Sequence, residues 1–131
     1  AWVELGLGRP AQAADIARKL DGELEAAGIF LFRAEALHLL GRALSALGQT
    51  TGAIQALSQA LDLALRLENR RMLWEVHLDL ALLQPETSPQ RREHLQAARV
   101  SVEYIAAHIG RDSLKRSFLD LPRVRLALGE K

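Results

Sequence analysis

The side chains able to do chemistry in this sequence are dispersed, and their spacing decides what each can be for. The four histidines, His38, His77, His94 and His108, stand far apart with no HExxH or other ligand spacing, so no metal site is expected. Cysteine is absent, which excludes a disulfide framework and any thiolate chemistry and fits a cytoplasmic setting. No GxSxG turn occurs, and the Ser, His and Asp residues fall on separate expected helices, so no nucleophilic triad is assembled. The Gly6-Leu7-Gly8 pair of glycines lacks the strand-to-helix context of a nucleotide loop. Neither catalysis nor a cofactor is therefore expected. What remains is a polar stripe: Glu35, His38, Arg42 and Ser45 follow one another at steps of three and four and so share a helix face. Such a face either meets a partner or is merely solvated. Glu75 and Asp79 form a second, acidic pair on another helix, with His77 on a different side of it.

The elements that position these residues are helices. The chain has 131 residues, 49% hydrophobic and 25% charged, which is the size and composition of one soluble domain. With three Phe, two Trp and one Tyr, its core must be built from Leu and Ala, both good helix formers, and an all-α fold is predicted. No apolar run approaches the roughly 20 residues of a membrane span. A formal net charge of +1 gives no general pull towards nucleic acid or membrane. Pro10 opens a helix with Ala13, Ala17, Leu20, Leu24 and Ala27 on one side and Gly28 as its stop. Further helices are predicted from about Ile29 to Leu47 and from about Thr51 to Leu67, with Gly48 between them. Leu37, Leu40, Leu44 and Leu47 line the first, and Ala53, Leu57, Ala60, Ala64 and Leu67 the second. The next segment, RMLWEVHLDLALL, is apolar nearly all round and should be covered on more than one side, with Trp74 as an anchor between helices. After the loop QPETSP, Ser88 is placed to cap a helix beginning at Pro89 and lined by Leu95, Ala98, Val102, Ile105 and Ile109, closed by Gly110. Asp112 is expected to cap a short helix with Leu114 and Phe118, and Leu121-Pro122 starts a last one with Val124 and Leu128.

Part of this pattern repeats. Gly8-Arg9-Pro10-Ala11-Gln12-Ala13 recurs as Gly48-Gln49-Thr50-Thr51-Gly52-Ala53, a turn glycine followed by a small residue on a helix. Leu57 and Ala60 find looser counterparts in Leu95 and Ala98, at a slightly shorter offset. Both offsets fall within the roughly 34–47 residues of two-helix repeats, and such a period indicates an α-solenoid.

Leu37, Leu40-Gly41, Leu44, Gly48, Ala53, Leu57 and Ala60 fall at the spacing of the tetratricopeptide repeat (TPR), and this stretch resembles that family, with leucines where its motif often has aromatics. The tail, NRRMLWEVHLDLALL followed by AARVSVEYIAAHIGRDSLKRSFLDLPRVRLAL, is similar to the C-terminal end of TPR arrays in large bacterial signalling proteins. Those proteins join an NTPase module to a cyclase, kinase or DNA-binding output domain. The resemblance implies a TPR-like α-solenoid of antiparallel helical hairpins with a C-terminal capping segment, and a role in protein interaction, signal transduction or transcription regulation. In a TPR the first helix of each unit faces the concave groove. Glu35, His38, Arg42 and Ser45, continued by Glu75 and Asp79, are then the expected surface for a protein or peptide partner, including other domains of the same parent chain.

On this reading residues 1–28 form a truncated first repeat, 29–68 the second, 69–110 a divergent third and 111–131 the cap, within a chain expected to be a fragment of a longer one. Two further functions stand beside partner binding. Trp2, Val3, Leu5 and Leu7 would be the packing face of an interrupted repeat and could pair two copies. Residues 91–131 hold 9 Lys and Arg against 5 Asp and Glu, and Arg111, Lys115, Arg116, Arg123 and Arg125 could meet nucleic acid. No recognition helix or interleaved aromatics accompany them, and a solenoid needs a polar cap to stay soluble, so the cap reading is preferred.

Overall fold

The computed structural model describes residues 9–129, apart from the side chains of Ala27 and Leu31, and over this range the chain is all-helical. Its helices are α1 (Pro10–Ala27), α2 (Phe30–Ala46), α3 (Thr50–Arg66), α4 (Arg70–Leu82), α5 (Pro89–Ala107), α6 (Asp112–Leu119) and α7 (Pro122–Ala127). Among the described residues no helix is long and apolar enough to cross a membrane. The chain divides into two compact units, Ala1–Leu67 and Glu68–Lys131. Trp2, Val3, Leu5 and Leu7 lie outside the described residues.

In the first unit the turns are set by glycine. Gly28 and Gly48 take φ of +72° and +77°, a left-handed conformation that costs a residue without Cβ least. At each, two backbone bonds close the helix end: Gly28 N–H to Glu25 O and Ile29 N–H to Leu24 O, then Gly48 N–H to Ser45 O and Gln49 N–H to Leu44 O. This is the Schellman arrangement, which satisfies the carbonyls a helix end leaves over. Each turn is so short that the chain reverses, and α2 packs against both α1 and α3. Glu68 is also left-handed, at φ +53°. Gly28, Gly48 and Glu68 are thus evenly spaced along the chain, and a fourth left-handed residue, Gly129 at φ +84°, follows α7.

The packing of α2 on α3 depends on small residues. A Cβ on Gly41 would lie 2.5 Å from Leu57 Cγ and 3.3 Å from the Ala53 carbonyl oxygen, so the two helices meet too closely there for any side chain. Leu37, Leu40 and Leu44 from α2 and Leu57, Ala60 and Ala64 from α3 are buried around this contact. Leu47 and Leu67, expected to extend the two stripes, are exposed because they follow the last helical turn as C-caps. On α1 the covered stripe narrows to Ala13, Ala14 and Ala17, leaving Leu20 exposed as well. Arg33 Nε donates to Asp21 at 2.8 Å, with Glu25 at 3.5 Å, tying the start of α2 to α1.

The second unit uses side-chain caps. The Asn69 side chain accepts from Met72 N–H at the start of α4, and Ser88 Oγ from Arg91 N–H at the start of α5, where Pro89 occupies the first turn. Its core joins Trp74 and Leu78 of α4, Ala98 and Val102 of α5, and Val124 and Ala127 of α7. Phe118 meets the Trp74 ring edge-on at 6.3 Å. The Trp74 indole N–H finds no acceptor among the described residues, so this side chain acts by packing. Met72, Trp74, Val76, Leu78 and Leu80 are all buried, so burial runs round α4 rather than along one stripe. Two expected boundaries move. α5 ends at Ala107, with Gly110 beyond its end and Ile109 outside the helix. Asp112 is the first residue of α6, not its cap, and its carboxylate sits in the first turn, where the helix dipole favours negative charge.

Candidate functional site

The polar stripe on α2 divides by burial. Glu35 and Arg42 are half-buried and Ser45 is exposed, but His38 is 1% exposed and belongs to the core. The expectation that His38 faces a partner is corrected: three- and four-residue spacing puts four side chains on one face of a helix without showing that a single environment covers that face. Of the polar stripe on α2, Glu35, Arg42 and Ser45 remain at the surface.

The acidic pair on α4 is likewise not an open strip. Glu75 is bound by Arg71 one turn earlier, at 2.7 Å. Asp79, with its side chain 11% exposed, receives a 2.7 Å hydrogen bond from the Arg123 guanidinium of α7. Both carboxylates are thus engaged by arginines within the second unit. The same bond withdraws Arg123 from the set of basic residues suggested for nucleic acid. Arg111, Lys115 and Arg116 are exposed.

The histidines are not all dispersed. His77 of α4 and His94 of α5 meet with Nδ1 to Nδ1 at 2.9 Å and ring centres 5.2 Å apart. Burial, with the neighbouring His94 second, pushes the His77 pKa down from 6.5 to about 4. His94 is also lowered, by burial, against a smaller opposing pull from Glu93. The pairing has a sequence signal that residue spacing alone does not reveal. The loop between α4 and α5 runs from Leu83 to Ser88, and His77 precedes its first residue by as many positions as His94 follows its last. In two helices folded back on one another, such positions come level. Near the far end of the same hairpin the Arg70 guanidinium lies 3.6 Å from the centre of the Tyr104 ring, and His108 stacks on Tyr104 at 4.1 Å while donating Nδ1–H to the Tyr104 carbonyl at 2.7 Å. Both histidine contacts join side chains within the second unit. Among the described residues no group of three His, Cys, Asp or Glu side chains could hold a metal ion.

Open clefts border α5. One of about 310 Å³ is lined by Arg92, Leu95, Gln96, Arg99, Ala127 and Leu128, and Arg99 is already paired with Glu103 at 2.8 Å. Open clefts of this kind bury too little of a small molecule to act as an enclosed ligand site. No family model, curated protein or solved structure matches the chain.

Proposed function

We propose that this chain is a TPR-like helical-repeat module that binds a protein or peptide partner through α2, as a regulatory or scaffolding part of a larger protein. The observation that carries the reading is the close approach at Gly41, where Leu57 and Ala53 leave no room for a Cβ. Those three residues are among the ones whose spacing resembles the repeat motif. The evenly spaced left-handed residues Gly28, Gly48 and Glu68 support a regular two-helix unit, and the placement of α2 between α1 and α3 supports stacking in a layer. A preformed helical surface loses little freedom on binding, so affinity there would come from Glu35, Arg42 and Ser45 meeting complementary groups.

The test is to select peptides from a display library on the immobilised full chain and to measure their affinity for a Glu35→Ala, Arg42→Ala, Ser45→Ala triple variant. Loss of tenfold or more, about 1.4 kcal/mol, is expected. Unchanged affinity in a folded variant rejects this surface. A second reading, self-association, has an observation of its own: Ile16, Leu20, Ile29, Phe30 and Phe32 of the first unit are exposed. Light scattering across a concentration series would show a doubling of mass on that reading, and a constant monomer mass would dismiss it.

A further inference from the structure

The contact between His77 and His94 points to a proton-operated device in the second unit. The 5.2 Å between ring centres is close to the 2.9 Å nitrogen gap plus one ring radius on each side. The two Nδ1 atoms therefore point head to head. That is the geometry of one N–H donating to one lone pair, and it requires the two neutral rings to hold opposite tautomers: Nδ1–H on one, Nε2–H on the other. It does not suit a chelated metal. Zn–N bonds of about 2.0–2.1 Å to head-on nitrogens would need the gap to widen to about 4 Å.

We propose that His77 and His94 form an acid-sensitive latch between α4 and α5, closed while the facing nitrogens share a single proton and opened when both rings are protonated. In the closed state the N–H of one ring fills the lone pair of the other. In the open state two N–H groups and two positive charges confront one another across the helix pair, and the rings must part. Glu93 favours charge on His94, and His94 opposes charge on His77. Asp79, two positions after His77, is held by Arg123 of α7, Glu75 by Arg71, and Arg91 of α5 by the carbonyl of Gln84. On α6, Asp112, Lys115 and Arg116 are exposed to solvent. None of these bonds supplies a carboxylate between the two rings to neutralise a second proton.

The direction of the pH effect follows. Both folded-state values lie below the 6.5 of an unfolded histidine, so the unfolded chain takes up protons first as pH falls. The pair's contribution to stability is complete above 6.5 and declines on acidification, until His77 itself charges near 4. Because the rings interact, the two protons should bind in two steps that belong to the pair.

The test is imidazole nitrogen NMR on the full chain, titrated from pH 8 to pH 4. At the alkaline end His77 and His94 are expected to show opposite tautomers, and both should titrate below 6.5, His77 last. His94→Gln should move the His77 midpoint upward by removing the charge that opposes it. Two rings with the same Nε2–H tautomer, titrating independently near 6.5, would overturn the latch. The tautomer readout needs only the unmodified protein, so the proposal remains testable if the variant fails to fold.

Discussion

The two units are built from similar helices and held by different means. In the first, α1, α2 and α3 are drawn together by what is missing from the backbone: Gly41 has no side chain where Leu57 arrives, and Ala13, Ala17, Ala53 and Ala60 are wholly buried. In the second, α4 and α5 are clasped by bulky and polar side chains: Trp74 against Phe118, His77 against His94, Arg70 over Tyr104, and Asp79 to Arg123 of α7. The turns differ in the same sense. Glycines close the helix ends of the first unit, whereas Asn69 and Ser88 side chains cap the helix starts of the second. The difference teaches that helices of similar length can be joined either by close backbone approach or by interlocking side chains, and that the second means places two histidine rings in direct contact.

Substitution should separate the two modes, beginning with the strongest effect. Trp74→Ala empties the centre of the second core and is expected to cost about 3–5 kcal/mol in urea unfolding. Trp74→Phe should cost less than about 1.5 kcal/mol, because the indole N–H has no acceptor to lose. Equal losses for both would mean that a hydrogen bond rather than packing holds this unit. In the first unit Ala53→Leu forces a side chain into the α2–α3 contact and should cost about 1–3 kcal/mol by overpacking. A neutral result there would show that the helices can move apart and that the small residues do not set their distance.

These contrasts also explain what was legible in the sequence. Turns, caps and starts were, because Gly28, Gly48, Ser88 and Pro89 act through their own backbone and their nearest neighbours. Burial of the leucines near Gly41 was legible through helical periodicity. His38 was not, since periodicity assigns a residue to a face and only packing shows whether that face is covered. Asp79 and Arg123 stand on helices far apart in the chain, so their bond required the position of α7. His77 and His94 could have been found by measuring each from the intervening loop, but a search for ligand spacing along one helix passes over a pair held across two. Glu68 hid the third left-handed turn, because glutamate carries no signal for that conformation.

Smaller effects refine the comparison. Ser88→Ala removes the cap of α5 and should cost about 1 kcal/mol, measured as a shift in the thermal midpoint. Glu68→Gly replaces a side chain at φ +53° with the residue that tolerates it, and should stabilise by up to about 1 kcal/mol. If it destabilises instead, the Glu68 side chain makes a contact that outweighs its backbone strain.

Urea unfolding of Gly41→Ala beside Gly22→Ala tests most directly whether α2 and α3 meet at Gly41 too closely for a side chain. Both glycines lie within helices, where alanine is intrinsically better by about 1 kcal/mol. A Cβ at Gly22 meets nothing within 4 Å, whereas one at Gly41 meets the fully buried Leu57 at 2.5 Å. Gly22→Ala is predicted to stabilise the protein by about 0.4–1 kcal/mol and Gly41→Ala to destabilise it by about 1–3 kcal/mol. If Gly41→Ala stabilises the protein as much as Gly22→Ala does, the close approach is absent and the repeat reading loses its support.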